Sequence, residues 1–462
     1  MSRRIGWLGR PEADPSYFLY ARAYGVATLL RLTLPDATAT SWLPVVALQG
    51  SGAILLLWRG AALGWGLAAL GAATGILALQ DQLTQSAYLF GCAVAALFAH
   101  AGSEAERPAR LGPGLRHAIR GLTLVVYLLA GLHKLNRDFF DPSVSCATAG
   151  LAALVGEGQA TPLWSEAWVA QRAWPIAFVA LELSLPIWLA LRPGLGVVLL
   201  ALFHLPLTII FAPGFAFTML TGWLAFLGEP ELEALRRTAR RHPVLVLAIG
   251  GAGAALSRAL FFPGRWGRDP DWVIKEAILW LIATWLVVTA ATSRPRAFTG
   301  RAVWRSSRPL ASTRFAWAAA ALFLLHGLTP YLGLGFHRTG AMLSNLRIDR
   351  GCHNSLLFPE ALRLADPYVV VDRIDFAPGR ADPAYAATVT ERLWSIAALE
   401  RAREHWCKKH PEPLAMEGRH EGRAFAVADL CKEGLPFATP WFAGMRRFQV
   451  NLTRHCPQRC VH

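Results

Sequence analysis

His117-Ala-Ile-Arg-Gly-Leu-Thr-Leu-Val-Val-Tyr-Leu-Leu-Ala-Gly-Leu-His-Lys-Leu135 carries no charge between Gly121 and Leu132 and then turns abruptly polar at His133, Lys134 and the following Asn136-Arg-Asp138. As a helix it is about 28 Å long, close to the thickness of a bilayer's hydrocarbon core. It reads as a membrane span whose far end is polar. Similar apolar runs lie on both sides, near 17–34, 42–58, 61–80 and 86–101, then 174–192, 194–212, 215–228, 243–262, 271–291 and 314–336. Several are short or abut closely, so one or two could be re-entrant. The expectation is an all-α polytopic membrane protein with about nine to eleven transmembrane helices.

Composition points the same way. Of 462 residues 54% are hydrophobic and 17% charged, yet Lys+Arg 46 against Asp+Glu 31 leaves a formal charge of +15. So hydrophobic a chain is neither disordered nor a soluble nucleic-acid binder, and no nucleic-acid partner is expected. The basic excess instead fits cytoplasmic loops, where positive charge resists translocation. One alternation places Arg3, Arg4, Arg59, the 102–116 stretch, Arg236-Arg237, Arg240-Arg241 and Arg294 to Arg314 on one face. The expected topology has residues 1–16 cytoplasmic, a transmembrane region 17–336 in the cell membrane, and an extracytoplasmic tail 337–462.

Six of the seven cysteines fall on the side expected to be oxidising: Cys146 in the 136–173 connection, and Cys352, Cys407, Cys431, Cys456 and Cys460 in the tail. They suffice for three disulfides, with fifteen possible pairings. Cys456, Cys460 and His455 could alternatively hold a metal, but no spaced second pair accompanies them, and no metal is predicted. The tail itself reads as a small α+β domain, with a strand at Tyr368–Asp375 and an amphipathic helix over 384–410 that buries Ala387, Leu393, Ile396 and Leu399. Asn451-Leu-Thr453 matches a glycosylation sequon and is assigned no role.

Ionisable residues inside spans are costly and usually retained for a site or pathway. Glu182 and His204 both sit roughly 12 Å below the outer face. Lys134 ends its helix on the same side, beside a stripe of Thr123, Tyr127 and Gly131 at i, i+4 and i+8. One outer-half pocket could contain all three. Structural roles stand beside this: Lys134 snorkelling or capping its helix, Glu182 bonding Ser184, His204 satisfying a carbonyl freed by Pro206, and His133 and His326 acting as packing residues. Lysine occurs only at 134, 275, 408, 409 and 432. In so arginine-rich a chain a lysine at a span end is notable, because lysine can give up its proton and arginine effectively cannot.

Tyr127-Leu-Leu-Ala-Gly-Leu-His-Lys-Leu-Asn-Arg-Asp-Phe-Phe140 with Ser145-Cys146-Ala147, Leu181-Glu-Leu-Ser-Leu-Pro186 with Phe203-His204 and Phe215–Leu220, and Met342-Leu-Ser-Asn-Leu-Arg347 together resemble the horizontally transferred transmembrane (HTTM) domain. Vitamin K-dependent gamma-carboxylase shares that module. The resemblance covers about residues 17–375. It implies that Lys134 is the base that deprotonates reduced vitamin K or another quinol, which with O2 becomes the strong base for carboxylating glutamates with CO2. Catalytic roles pass to Lys134, His204 and Glu182, and cofactor contacts to Tyr127, Gly131, His133 and Asn136. The implied partners are the lipid bilayer and an exported protein or peptide substrate. This sequence departs from the family in having His133 where a second lysine stands and Asn136 where an acid stands. The other reading is a non-catalytic transporter or scaffold, with Glu182 and His204 lining a solute path and the tail docking a partner.

Overall fold

Each apolar run of the sequence has a helix within it: α1 Pro15–Leu32, α2 Leu43–Trp58, α3 Ala62–Leu77, α4 Thr84–His100, α5 Leu115–His133, then, after α6 Cys146–Gly156, α7 Trp168–Leu191, α8 Pro193–Ile210 and α9 Phe215–Phe226, and, after α10 Glu229–Arg241, α11 Pro243–Phe261, α12 Pro270–Thr292 and α13 Ala311–Gly327, so that the run read at 314–336 stays α-helical only to Gly327 and goes on as a 3-10 turn at Thr329–Leu332. The structure, a computed structural model, describes residues 11, 15–32, 43–77, 84–101, 106–156, 168–210, 214–261, 270–293, 311–376, 383–409, 412–437, 448–449 and 452–460. Asn451 of the sequon and the arginines between 294 and 310 lie outside the described residues. Among the described residues four helical stretches are long and apolar enough to cross a membrane: Arg107–His133, Ala173–Leu191, Pro243–Leu260 and Trp272–Thr292. The other apolar helices are shorter, including Leu43–Trp58 and Phe215–Phe226.

The chain packs as two compact units, one of Met1–Leu132 with Ala149–Leu324, the other of His133–Thr148 with Leu325–His462. In the first, α10 corrects the sequence reading, which treats its arginines as a loop. Glu229 and Glu231 occupy its first turn and Arg240 and Arg241 its last, charges matched to the helix dipole, and the Gly228 N–H donates to Glu231 at 2.9 Å. A scan for apolar runs passes over such a helix. Two further arginines close a helix end: Arg116 donates to the Ala225 and Leu227 carbonyls at 2.8 and 2.6 Å, and Arg120 to Ala225 at 2.7 Å. They satisfy the last turn of α9, whose carbonyls have no partner within their own helix.

The second unit holds an antiparallel four-stranded sheet, β1 Tyr368–Asp375, β2 Leu393–Ser395, β3 Ala415–His420 and β4 Arg423–Val427, in the order β2-β1-β3-β4. β1 occupies the span expected of it. The single helix expected over 384–410 is instead two, α14 Pro383–Glu391 and α15 Ile396–Lys409, separated by β2. Tyr368, Val369 and Val370 of β1 pair with Ser395, Trp394 and Leu393, and the Leu393 N–H donates to Leu452, so tertiary pairing overrides the local helical pattern. Leu393, Ile396 and Leu399 are buried as expected; Ala387 faces outward and Val389 fills the core in its place.

Three disulfides, all in this unit, join Cys146 to Cys460, Cys352 to Cys456 and Cys407 to Cys431, with Cα separations of 4.7, 5.7 and 5.5 Å. Cys92 is buried and unpaired. On the sheet surface Asp372 accepts from Arg419 at 2.9 and 3.0 Å and pairs with Arg454. These guanidinium bonds, Arg419's first, hold its carboxyl below the usual carboxylate range. The stability this contributes is present above the unfolded value of about 3.9 and is lost as pH falls through the depressed folded value. Because Asp372 is partly exposed, Asp372→Asn should cost no more than about 0.5 kcal/mol at neutral pH and flatten the acid limb of a melting-temperature profile. An unchanged acid limb would show the pair to be energetically silent.

Candidate functional site

The sequence-predicted residues divide between the units: Tyr127, Gly131, Glu182 and His204 belong to the first, and His133, Lys134 and Asn136 to the second. In the first, the predicted stripe on α5 is a contact face. Thr123 bonds Tyr88 of α4 at 3.0 Å, and Gly222 of α9 lies so close that a side chain there would sit 2.6 Å from the Tyr88 hydroxyl. At Gly131 a Cβ would fall 2.6 Å from Leu183 Cδ2, so glycine is what lets α5 and α7 approach there.

Between these two contacts Tyr127 organises a hydrogen-bonded chain. The Trp223 indole, which can only donate, gives its N–H to the Tyr127 oxygen at 3.0 Å, and that oxygen lies 2.9 Å from His204 Nε2. Tyr127 and His204 share this hydrogen bond in either imidazole tautomer: the phenol donates to a bare Nε2, or Nε2–H donates to the second lone pair of the phenol oxygen. Tyr127, Phe203, Phe215 and Trp223 surround the imidazole at ring-centre distances of 5.2 to 5.9 Å, and His204 is 1% exposed. Glu182, also buried, lies within electrostatic reach of Tyr127. Its neighbour Ser184 donates to the Leu181 carbonyl at 2.7 Å. Chemically this is a buried hydrogen-bonded chain walled by aromatic rings, in which Tyr127 and His204, unlike the Trp223 indole, can both give and take a proton.

In the second unit Lys134 is 4% exposed, in the turn just past α5. The residues around it are fixed by named bonds. His133 lies 3.1 Å from the Thr339 carbonyl through Nε2 and 2.9 Å from the Tyr331 hydroxyl through Nδ1; a carbonyl only accepts, so Nε2 carries the proton and Tyr331 donates to Nδ1. Asn136 donates to the His133 and Ser344 carbonyls at 2.8 and 2.5 Å, and its oxygen accepts from the Phe139 N–H and from Asn354 at 2.9 and 3.3 Å. The sequence reading places both residues against a cofactor; in the structure their polar atoms go to protein partners. Asp138, buried nearby, has its carboxyl pushed up by burial, with an Asn354 hydrogen bond pulling the other way.

Two motif segments distant in sequence meet here. Asn345 takes the Cys146 N–H at 2.7 Å and donates to the Val144 carbonyl at 2.9 Å, while Ser344 holds Asn136. The segment is conformationally costly, since Arg338, Leu343 and Asn345 have φ of 69°, 51° and 53°. Behind it Arg347 grips Asp349 at 2.9 and 2.8 Å and donates to the Thr453 and His455 carbonyls, both at 2.9 Å.

The sequence reading missed one buried charged group. Arg258 of α11 pairs with Glu276 of α12 at 2.7 Å, Ser257 donates to the same carboxylate, and Lys275 is 1% exposed. Arg258, Lys275 and Glu276 lie inside expected spans, so the rule that selected Glu182 and His204 would have found those three. Comparison with protein-family models, with curated proteins and with solved structures finds no match for this chain.

Proposed function

We propose that this chain is an integral membrane enzyme of the HTTM, gamma-carboxylase-like class, oxidising a lipid-soluble quinol with O2 near the outer leaflet and carboxylating glutamates of an exported protein with CO2. One observation supports this above others: Ser344 and Asn345 of one family-like segment bond Asn136 and Cys146 of the other, just beyond a buried lysine that follows a helix long and apolar enough to cross a membrane. A bound quinol would supply the reducing equivalents and the strong base. The chain's part is to hold Lys134 in a fixed, water-poor setting through His133, Asn136 and the 342–347 segment, where a lysine can serve as general base. Purified protein given reduced naphthoquinone, O2 and labelled bicarbonate should form quinone epoxide, and a co-encoded exported protein should gain label. Absence of epoxide across reduced naphthoquinones and benzoquinones would end this reading.

A second reading draws on the Trp223–Tyr127–His204 chain with Glu182 nearby, a buried polar arrangement suited to a proton or solute path. In a proteoliposome flux assay it requires transport that survives Lys134→Ala and is lost in Glu182→Gln.

A further inference from the structure

The most unusual surface in the second unit is the loop that follows Ser355. From 356 to 364 every residue in the most exposed class is apolar: Leu356, Leu357, Pro359, Ala361, Leu362 and Leu364. The leucines are 53%, 53%, 45% and 73% exposed. Of the two charged residues of the stretch, Arg363 is largely covered and Glu360 keeps 40% of its side chain exposed. Glu360 pairs with Arg363 at 3.0 Å, and Arg363 turns inward to the Ile348 carbonyl at 3.2 Å and to Asp366 at 3.8 Å. Soluble surfaces rarely gather leucines in this way without something to cover them.

The exposure is built into the backbone. The Leu356 N–H donates to the Leu135 carbonyl and the Leu364 N–H to the Leu332 carbonyl, each at 3.0 Å, so both ends of the loop are tied down. Phe358 stacks on Tyr331 with ring centres 4.0 Å apart, and the Leu357 and Phe358 N–H groups are held by the Ser355 hydroxyl at 3.3 and 3.2 Å. Gly333, at φ +68°, could carry no side chain without striking the Ala365 carbonyl. These anchors leave the leucines facing outward.

Leu135, which holds the loop's first end, follows His133 at the end of a helix long and apolar enough to cross a membrane. A span end lies at the headgroup boundary, where apolar side chains on a tethered loop meet acyl chains. A protein partner would call for a polar rim with hydrogen-bonding groups, which these outward residues lack. We infer that Leu356–Leu364 is a lipid-entering wedge that seats the second unit in the outer part of the bilayer, next to the Lys134 segment. This rests on reading Leu115–His133 as a membrane span. Its occupant is the acyl region of the leaflet, and it holds the Lys134 segment at the depth where a lipid-soluble substrate is concentrated.

Spin labels at L357C and L364C in nanodisc-embedded full-length protein test it, with A387C as the water-exposed control and L128C as the span control. Cys92 is buried, and the unlabelled parent chain reports any background. The ratio of collision with O2 to collision with an aqueous nickel chelate should be several-fold higher at 357 and 364 than at 387, and should approach that at 128. If 357 and 364 match 387 while 128 reads as lipid, the wedge is overturned and the membrane reading stands; the loop then faces water as a surface for a protein partner. If all four sites read as water, both fail together.

Discussion

Lys134→Ala and Lys134→Arg should each lose quinol-dependent epoxide formation by a factor of about 10²–10⁴, the usual contribution of a positioned general base. Arginine is the sharper variant. It keeps the positive charge and most of the length, yet cannot serve as a base near neutral pH, so a purely electrostatic or snorkelling role would let it stand in for lysine. Lys134 is 4% exposed, so a lost contact must be separated from lost chemistry. Added primary amines provide that separation: they should partly restore Lys134→Ala, with a rate that rises with amine basicity, and a packing defect would not respond in that way. Retained turnover in Lys134→Ala would remove the proposed mechanism. Loss without amine rescue, accompanied by a lowered melting temperature, would make Lys134 a structural residue.

How much of this was legible beforehand depends on the range of the interaction concerned. The span read at 117–135 is a helix at Leu115–His133, and the strand read at Tyr368–Asp375 is β1, because apolar periodicity and β-branched runs are local signals. The 384–410 segment misled because Leu393–Ser395 is short enough to fit a helix as well as a strand, and its pairing with Tyr368–Val370 cannot be seen locally. Disulfide pairing was invisible for the same reason: Cys146 and Cys460 lie 314 residues apart, and Cys352 and Cys456 lie 104 apart. The stripe of Thr123, Tyr127 and Gly131 was legible as one face of a helix. What it faces, Tyr88 and Gly222, His204 and Trp223, then Leu183, comes from four other helices and needs the fold.

The charge excess carries more structural content than orientation alone. Arg116 and Arg120 close the end of α9, and Arg258 is matched to Glu276 inside the helical unit. In each case a planar, permanently charged fork meets fixed acceptors, a task for which lysine is poorly shaped. Arginine's prevalence over lysine therefore follows partly from local packing, which leaves Lys134 and Lys275, both buried, as the two lysines that this packing does not explain.

Arg347→Ala should destabilise the second unit by about 3–5 kcal/mol, the range expected when one partner of a buried ion pair is removed. Arg347 is 1% exposed and Asp349 2%, so truncation leaves a carboxylate in the interior with no countercharge, and leaves the Thr453 and His455 carbonyls without their guanidinium donor. Arg347→Lys should recover only part of the loss, because an ammonium cannot span the two Asp349 oxygens and both carbonyls at once. Arg347→Met combined with Asp349→Leu should be milder than Arg347→Ala alone, since it removes both charges together. Denaturant unfolding of the full chain with its disulfides intact measures all three, and wild-type stability in Arg347→Ala would refute the argument. The same variant links fold to chemistry. Arg347 anchors the segment whose Ser344 carbonyl fixes Asn136, two residues beyond Lys134, so its loss should also lower Lys134-dependent turnover at temperatures where the unit remains folded.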